Sequence, residues 1–63
     1  MIVGIFGLGL IGGSLAKAFK RDDSVYVMGV ANSDKTTDFA LLAGDIDAVL
    51  TPERLCECDL VML

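Results

Sequence analysis

The most constraining feature of the sequence is a glycine-rich stretch that directly follows a short apolar run. The run, Ile2–Phe6, is continuously apolar, which is typical of a strand buried on both faces of a parallel sheet. The next stretch, Gly7-Leu8-Gly9-Leu10-Ile11-Gly12, has the form G-x-G-x-x-G. Apolar residues at helical spacing follow it, at Ile11, Leu15, Ala18 and Phe19. The position between a strand and an amphipathic helix makes the motif far more informative than its spacing alone.

Each glycine has a mechanical task in a turn that binds a dinucleotide. Gly7 allows the tight turn out of the strand, and Gly9 leaves room for a pyrophosphate to approach the backbone. Gly12 lets the helix pack closely on the strands, and Gly13 and Ala16 extend this small face. The N–H groups and the dipole at the helix start favour the phosphates. We predict a pyrophosphate site here, against the alternative of a structural turn, formed by Gly7, Leu8, Gly9, Leu10, Ile11 and Gly12.

The rest of the sequence predicts alternating helices and strands. A turn at residues 22–24 leads to a second buried strand at residues 25–31. Residues 32–34 offer capping oxygens for a helix that ends at Gly44 and carries Phe39, Leu42 and Ala43 on one face. A weak strand at residues 46–50, a short helix begun by Thr51 and Pro52, and a strand at residues 59–63 follow. This order predicts a Rossmann-type parallel α/β sheet with flanking helices and right-handed crossovers.

Size and composition indicate that these 63 residues are part of a larger domain. A chain of this length buries only about 60% of its unfolded surface, yet 54% of its residues are hydrophobic. The two cysteines, Cys56 and Cys58, are too few for a disulfide framework or a complete metal site. We interpret residues 1–63 as the N-terminal portion of a dinucleotide-binding domain, marginally stable as an isolated monomer.

Charge and hydropathy exclude several classes of partner. The net charge is −4, which argues against binding nucleic acid through phosphate contacts. Residues 1–16 carry no charged side chain, but they lack the basic segment of a signal peptide, and their glycines disfavour a membrane span. We therefore expect a cytoplasmic protein without a membrane or nucleic-acid partner.

The end of the second strand indicates which dinucleotide is bound. An Asp or Glu at this point holds the ribose 2′-OH in NAD-binding domains, but the sequence has Ala31 followed by Asn32 and Ser33. Asp34 is better placed as a helix cap. Without the carboxylate, a 2′-phosphate is not repelled, and Asn32, Ser33 and Lys35 offer donors to it. We predict a cofactor site that includes Ala31, Asn32, Ser33 and Lys35 and prefers NADP to NAD.

The glycine turn and the residues after it resemble the opening of the prephenate and arogenate dehydrogenase family. The resemblance rests on the Leu10-Ile11 pair between glycines and on the continuation Gly13-Ser14-Leu15-Ala16. It extends through the helix ending at Gly44 to residues 58–63. The β-hydroxyacid dehydrogenases and pyrroline carboxylate reductases typically have methionine where Ile11 stands.

This resemblance implies an NAD(P)-dependent oxidative decarboxylation of prephenate or arogenate in tyrosine biosynthesis, by a homodimer. It also implies a catalytic histidine, substrate-binding arginines and a helical dimerisation domain, which we expect beyond residue 63. The sequence has no histidine, so no catalytic residue is assigned to it. Two alternatives stay open: a non-catalytic nucleotide-sensing module with the same turn, and a dehydrogenase of the β-hydroxyacid dehydrogenase kind.

Overall fold

A computed structural model describes residues 1–62, apart from the side chains of Leu10 and Ile11. Leu63, the last residue of the predicted final strand, lies outside the described residues. Strands and helices alternate in the predicted order: β1 (Ile2–Phe6), α1 (Leu10–Lys20), β2 (Tyr26–Val30), α2 (Asp34–Ala43), β3 (Ala48–Val49), a 3₁₀ helix (Pro52–Glu57) and β4 (Leu60–Met62).

The strands form a four-stranded parallel sheet in the order β3-β2-β1-β4. The chain moves outward from β1 through β2 to β3 and then returns to the other side of β1 with β4. This reversal places a topological switch point beside β1, and ligands of open α/β sheets bind outside the carboxyl ends of strands at such points. The predicted Rossmann-type architecture is confirmed.

β1 is buried because apolar groups cover both of its faces. Val3 and Ile5 lie in the main core with Val27 of β2, and Ala16 of α1 and Ala40 of α2 join the same cluster. On the other face, Gly4 lies against Leu50 and Cys58, and a Cβ at Gly4 would come within 2.8 Å of Cys58 Sγ. A strand with two covered faces has no polar alternation, which is why β1 could be recognised as a continuous apolar run.

Two aspartates fix the outer strands to their neighbours in the same way. The Asp47 N–H donates to Val27 O (2.7 Å), and its carboxylate accepts from the Val27 N–H (2.8 Å). The Asp59 N–H donates to Ile2 O (2.7 Å), and its carboxylate accepts from the Ile2 N–H (2.7 Å). Each aspartate thus satisfies both backbone groups of one residue at the start of the adjacent strand.

The apolar face predicted for α2 exists, but it does not face the sheet. Phe39 is 71% exposed and Leu42 is 87% exposed, and Ala43 is exposed as well. The buried residues of α2 are Thr37 and Ala40. Thr37 occupies the sheet-facing position because its hydroxyl has hydrogen-bond partners there, a contact that hydrophobic periodicity does not register.

Smaller differences concern α1 and the lengths of the strands. Ala18 is exposed, and Ala16 is the buried alanine of α1. β2 and β3 are shorter than predicted, although Asp47 and Leu50 continue the hydrogen bonding on either side of β3 through Val27 O and Gly29 O. α2 ends as predicted at Gly44, whose φ of 80° is the left-handed conformation that glycine adopts without strain.

No helix among the described residues 1–62 is long and apolar enough to cross a membrane.

Asp47 is expected to make the stability of the sheet sensitive to acid. Desolvation raises the pKa of Asp47, but hydrogen bonds from Lys20 Nζ (2.7 Å) and the Val27 N–H, together with the Lys20 charge, outweigh it and leave the pKa below its ordinary value. Because the pKa of Asp47 is lower in the folded chain than in the unfolded chain, its carboxylate stabilises the fold at pH values above the unfolded-state pKa. This stabilisation is lost as the pH falls below about 4 and the carboxylate becomes protonated.

We therefore predict that Asp47→Ala lowers the free energy of unfolding of the full chain by about 1 kcal/mol at pH 7, since solvent screens part of the ion pair. Asp47→Asn keeps an acceptor for the Val27 N–H and should cost less, with a weaker acid dependence than the wild type. Urea denaturation between pH 3 and pH 7 measures both effects. Equal acid dependence in the wild type and Asp47→Asn would show that Asp47 has no such role.

Candidate functional site

A cavity of about 390 Å³ opens where β1 and β2 end. One side is the turn between β1 and α1, and the other is the loop between β2 and α2. Its lining residues are Gly7, Leu8, Gly9, Ala31, Asn32, Ser33 and Thr36. This is the position at the carboxyl ends of parallel strands where α/β sheets bind ligands.

The turn is anchored to the end of β2. Gly7 has a φ of 83°, a left-handed conformation that strains any residue with a side chain. With the backbone in this conformation, the N–H groups of Gly7 and Leu8 both donate to Val30 O, at 2.9 and 3.3 Å. The side chain of Leu8 is buried in the main core. The predicted role of Gly7 in a tight turn is therefore met by its observed conformation.

Gly12 and Gly9 lack side chains for different physical reasons. A Cβ at Gly12 would overlap the carbonyl oxygen of Gly7, so a side chain there would push α1 away from the turn. A Cβ built at Gly9 meets no atom within 4 Å. Packing within the described chain therefore explains the glycine at position 12, but it does not explain the glycine at position 9.

The start of α1 presents backbone N–H groups that its N-cap residue does not bond through a side chain. Gly9 occupies the N-cap position, where it makes no side-chain cap, and no acidic residue lies in the first turn. The Gly13 N–H donates to Gly9 O (2.8 Å), and the N–H groups of the preceding turn have no helical carbonyl to reach. Such groups, with the helix dipole behind them, suit an anion.

The loop on the other side of the cavity is ordered by α2. Ser33 occupies the N-cap position, but its side chain makes no capping hydrogen bond, contrary to the capping role predicted for residues 32–34. Asp34 lies in the first helical turn, where a carboxylate favours the dipole. The loop is instead held by Thr37, whose Oγ1 accepts from the Ala31 N–H (2.9 Å) and donates to Ser33 O (3.2 Å).

The structure brings together most of the residues that the sequence predicted. Those that line the cavity are Gly7, Leu8, Gly9, Ala31, Asn32 and Ser33. Gly12 lies against the Gly7 carbonyl instead of at the cavity surface, and Lys35 is exposed and outside the lining. The side chains predicted at Leu10 and Ile11 lie outside the described part of the chain.

Sequence reasoning missed Thr36, which also lines the cavity. Thr36 follows Ser33 by three residues, so in a helix that begins near Ser33 both face the same side. That spacing was the available signal. None of the described lining residues carries a charged side chain.

The cysteines lie away from this cavity. Cys56 and Cys58 are free thiols whose Sγ atoms donate to the carbonyls of Glu53 and Arg54, at 3.6 and 3.7 Å. Within residues 1–62, no three His, Cys, Asp or Glu side chains lie close enough together to hold a metal ion.

The fold and the glycine turn define a Rossmann-type α/β protein. The crystal structure of arogenate dehydrogenase from Synechocystis matches 98% of this chain with a TM-score of 0.82 and 30% sequence identity, and the chain spans 23% of that enzyme. The predicted resemblance to the N-terminal part of the prephenate and arogenate dehydrogenase family is confirmed. No family model and no curated protein matches the chain.

The contrast between the glycines predicts opposite effects on stability. Gly12→Ala should lower the free energy of unfolding by about 1–3 kcal/mol, because the new methyl group forces α1 off the Gly7 carbonyl. Gly13→Ala is the matched control: its Cβ meets no atom within 4 Å, so the close packing predicted for Gly13 is not observed. Alanine in a helix interior gains about 0.5–1 kcal/mol over glycine. Thermal unfolding of both variants in the full chain tests this, and a harmless Gly12→Ala would contradict the observed close approach.

Proposed function

We propose that this chain binds the cofactor of an NAD(P)-dependent dehydrogenase of the prephenate and arogenate type. The cavity between the glycine turn and the β2–α2 loop carries this proposal, because it lies at the carboxyl ends of β1 and β2 in a Rossmann-type sheet. The likeness to arogenate dehydrogenase supports a nicotinamide dinucleotide as the ligand class.

The cofactor pyrophosphate lies against the turn at Gly9 and the N-terminus of α1. The open side of Gly9 supports this assignment, since a phosphate that approaches the backbone needs the space that a Cβ would take. The N–H groups of the first helical turn are the donors, because those of Gly7 and Leu8 already bond Val30 O. When bound, the nicotinamide supplies the hydride acceptor of the reaction.

The adenosine ribose lies at the other side of the cavity, beside Ala31. We propose NADP in preference to NAD, because no carboxylate among the described lining residues is there to bind a 2′-OH or repel a 2′-phosphate. Asn32 and Ser33 line the cavity and offer hydrogen-bond donors. Lys35 is exposed at the start of α2 and adds a positive charge at longer range.

The complete reaction that we propose is the oxidative decarboxylation of prephenate or arogenate, in which the substrate would lose its ring carboxylate as CO₂ and a bound nicotinamide would accept the hydride. The chain spans 23% of the arogenate dehydrogenase it matches, and its sequence contains no histidine. We therefore propose that residues 1–63 bind cofactor, and that the substrate, the catalytic groups and the dimer contact belong to other parts of a longer protein.

Gly9→Val should weaken binding without unfolding the protein. The branched side chain would occupy the space proposed for the pyrophosphate, so we expect a loss of affinity on the order of 100-fold for NADP and NAD alike. Isothermal titration calorimetry on the full chain measures this. Gly13→Ala, which alters an open glycine outside the cavity lining, should bind normally. Unchanged affinity in folded Gly9→Val would remove the pyrophosphate from this turn.

Ala31→Asp should shift the cofactor preference toward NAD. A carboxylate at this position accepts from a 2′-OH and repels a 2′-phosphate, so the ratio of kcat/KM values should change by about 10- to 100-fold. Lys35→Ala should weaken NADP use more than NAD use, though modestly, because the ammonium is exposed. A wild type that already prefers NAD would show that the ribose is held by another group.

A further inference from the structure

Thr37 is a buried polar residue in a helix whose large apolar side chains are exposed. Only 4% of its surface is accessible, whereas Phe39, two residues later, is 71% exposed. A hydroxyl is buried at little cost only when it is hydrogen-bonded, and Thr37 Oγ1 both accepts and donates. Both hydrogen-bond partners of Thr37 Oγ1 belong to the β2–α2 loop, which lines the cavity.

The two partners stand at opposite ends of that loop. Oγ1 accepts from the Ala31 N–H (2.9 Å) and donates to Ser33 O (3.2 Å), and the Thr37 N–H also donates to Ser33 O (3.1 Å). One hydroxyl therefore links the residue that follows β2 to the residue that precedes α2. Asn32 lies between them, and all three loop residues line the cavity.

No other hydrogen bond described for this loop links its two ends. Ser33 makes no side-chain cap to α2, so the helix start is not held to the loop in the usual way. Without the Thr37 hydroxyl, the half-buried Ala31 N–H loses its acceptor, and the peptide groups on either side of Asn32 can rotate. The backbone conformation that presents Asn32 and Ser33 to the cavity thus depends on a residue that does not line the cavity.

We propose that Thr37 is a positioning residue for recognition of the adenosine ribose 2′ group. The proposal rests on the proposed cofactor function and adds to it the residue that sets selectivity. Thr37 acts through Ala31 and Ser33, whereas the pyrophosphate is held independently by the glycine turn. Loss of the hydroxyl therefore affects discrimination between NADP and NAD more than it affects dinucleotide binding as such.

The test compares dissociation constants for NADP and NAD, measured by calorimetry on the full chain. Thr37→Val keeps the shape of the side chain but removes both hydroxyl bonds. We expect the ratio of the two constants to move toward one by roughly tenfold, as expected for the loss of about one well-placed hydrogen bond. Thr37→Ser keeps the hydroxyl and should retain the wild-type ratio even if its melting temperature falls.

Thr51→Val is the matched control, since Thr51 lies at the start of the 3₁₀ helix and makes no side-chain capping hydrogen bond. A smaller folded fraction lowers the binding of both ligands equally, so a purely structural role for Thr37 would leave the ratio unchanged. An unchanged ratio in Thr37→Val, or a shift as large in Thr37→Ser as in Thr37→Val, overturns the proposal. If Thr37→Val does not fold, Thr37→Ala, which also lacks the hydroxyl, takes its place with the same two outcomes.

Dinucleotide binding by the wild type distinguishes a failure of this proposal from a failure of the proposed function. A wild type that binds both dinucleotides with equal affinity overturns the role of Thr37 and leaves dinucleotide binding intact. A wild type that binds neither overturns the proposed function itself, and the role of Thr37 with it.

Discussion

The carbonyl oxygen of Val30 accepts hydrogen bonds from two consecutive N–H groups, those of Gly7 and Leu8. This contact ties the turn after β1 to the last residue of β2, and so it sets the distance across the cavity. It requires the left-handed backbone at Gly7. It also consumes two turn N–H groups, so the anion that we propose would meet those that follow, at the start of α1. The site is thus a product of strand pairing as much as of the glycine motif.

The features that could be predicted from the sequence are those that local residue patterns determine. Ile2–Phe6 has two buried faces, so its apolar run identified β1 with its observed bounds. Gly44 marked the end of α2, because the chain needs a positive φ there. The order of strands and helices followed from these local signals, and short connections in a parallel sheet leave few arrangements. Most lining residues of the cavity were found because the motif and the end of β2 meet at one sheet edge.

The sequence-based predictions were wrong where hydrogen bonds of polar side chains determine the structure. Hydrophobic periodicity assigned Phe39 and Leu42 to the core, but Thr37 and Ala40 are buried because the Thr37 hydroxyl bonds the preceding loop. The carboxylates of Asp47 and Asp59 fix the outer strands through backbone groups more than ten residues away in sequence. Such contacts depend on which strands become neighbours, and a single sequence does not contain that information locally. The cofactor contacts of Ala31, Asn32, Ser33 and Lys35 stay predictions.

The different surroundings of the three motif glycines bear on how such a turn changes over evolutionary time. Replacement of Gly7 or Gly12 strains the backbone or displaces a helix, so protein quality control would remove those variants whether or not a ligand mattered. Position 9 faces open space among the described residues, so under the proposed function it is ligand binding that keeps it glycine. A descendant that lost its cofactor would retain the first and third glycines while the second drifted. The middle glycine is therefore the diagnostic position when related chains are sorted into those that still bind a nucleotide and those that have kept only its scaffold.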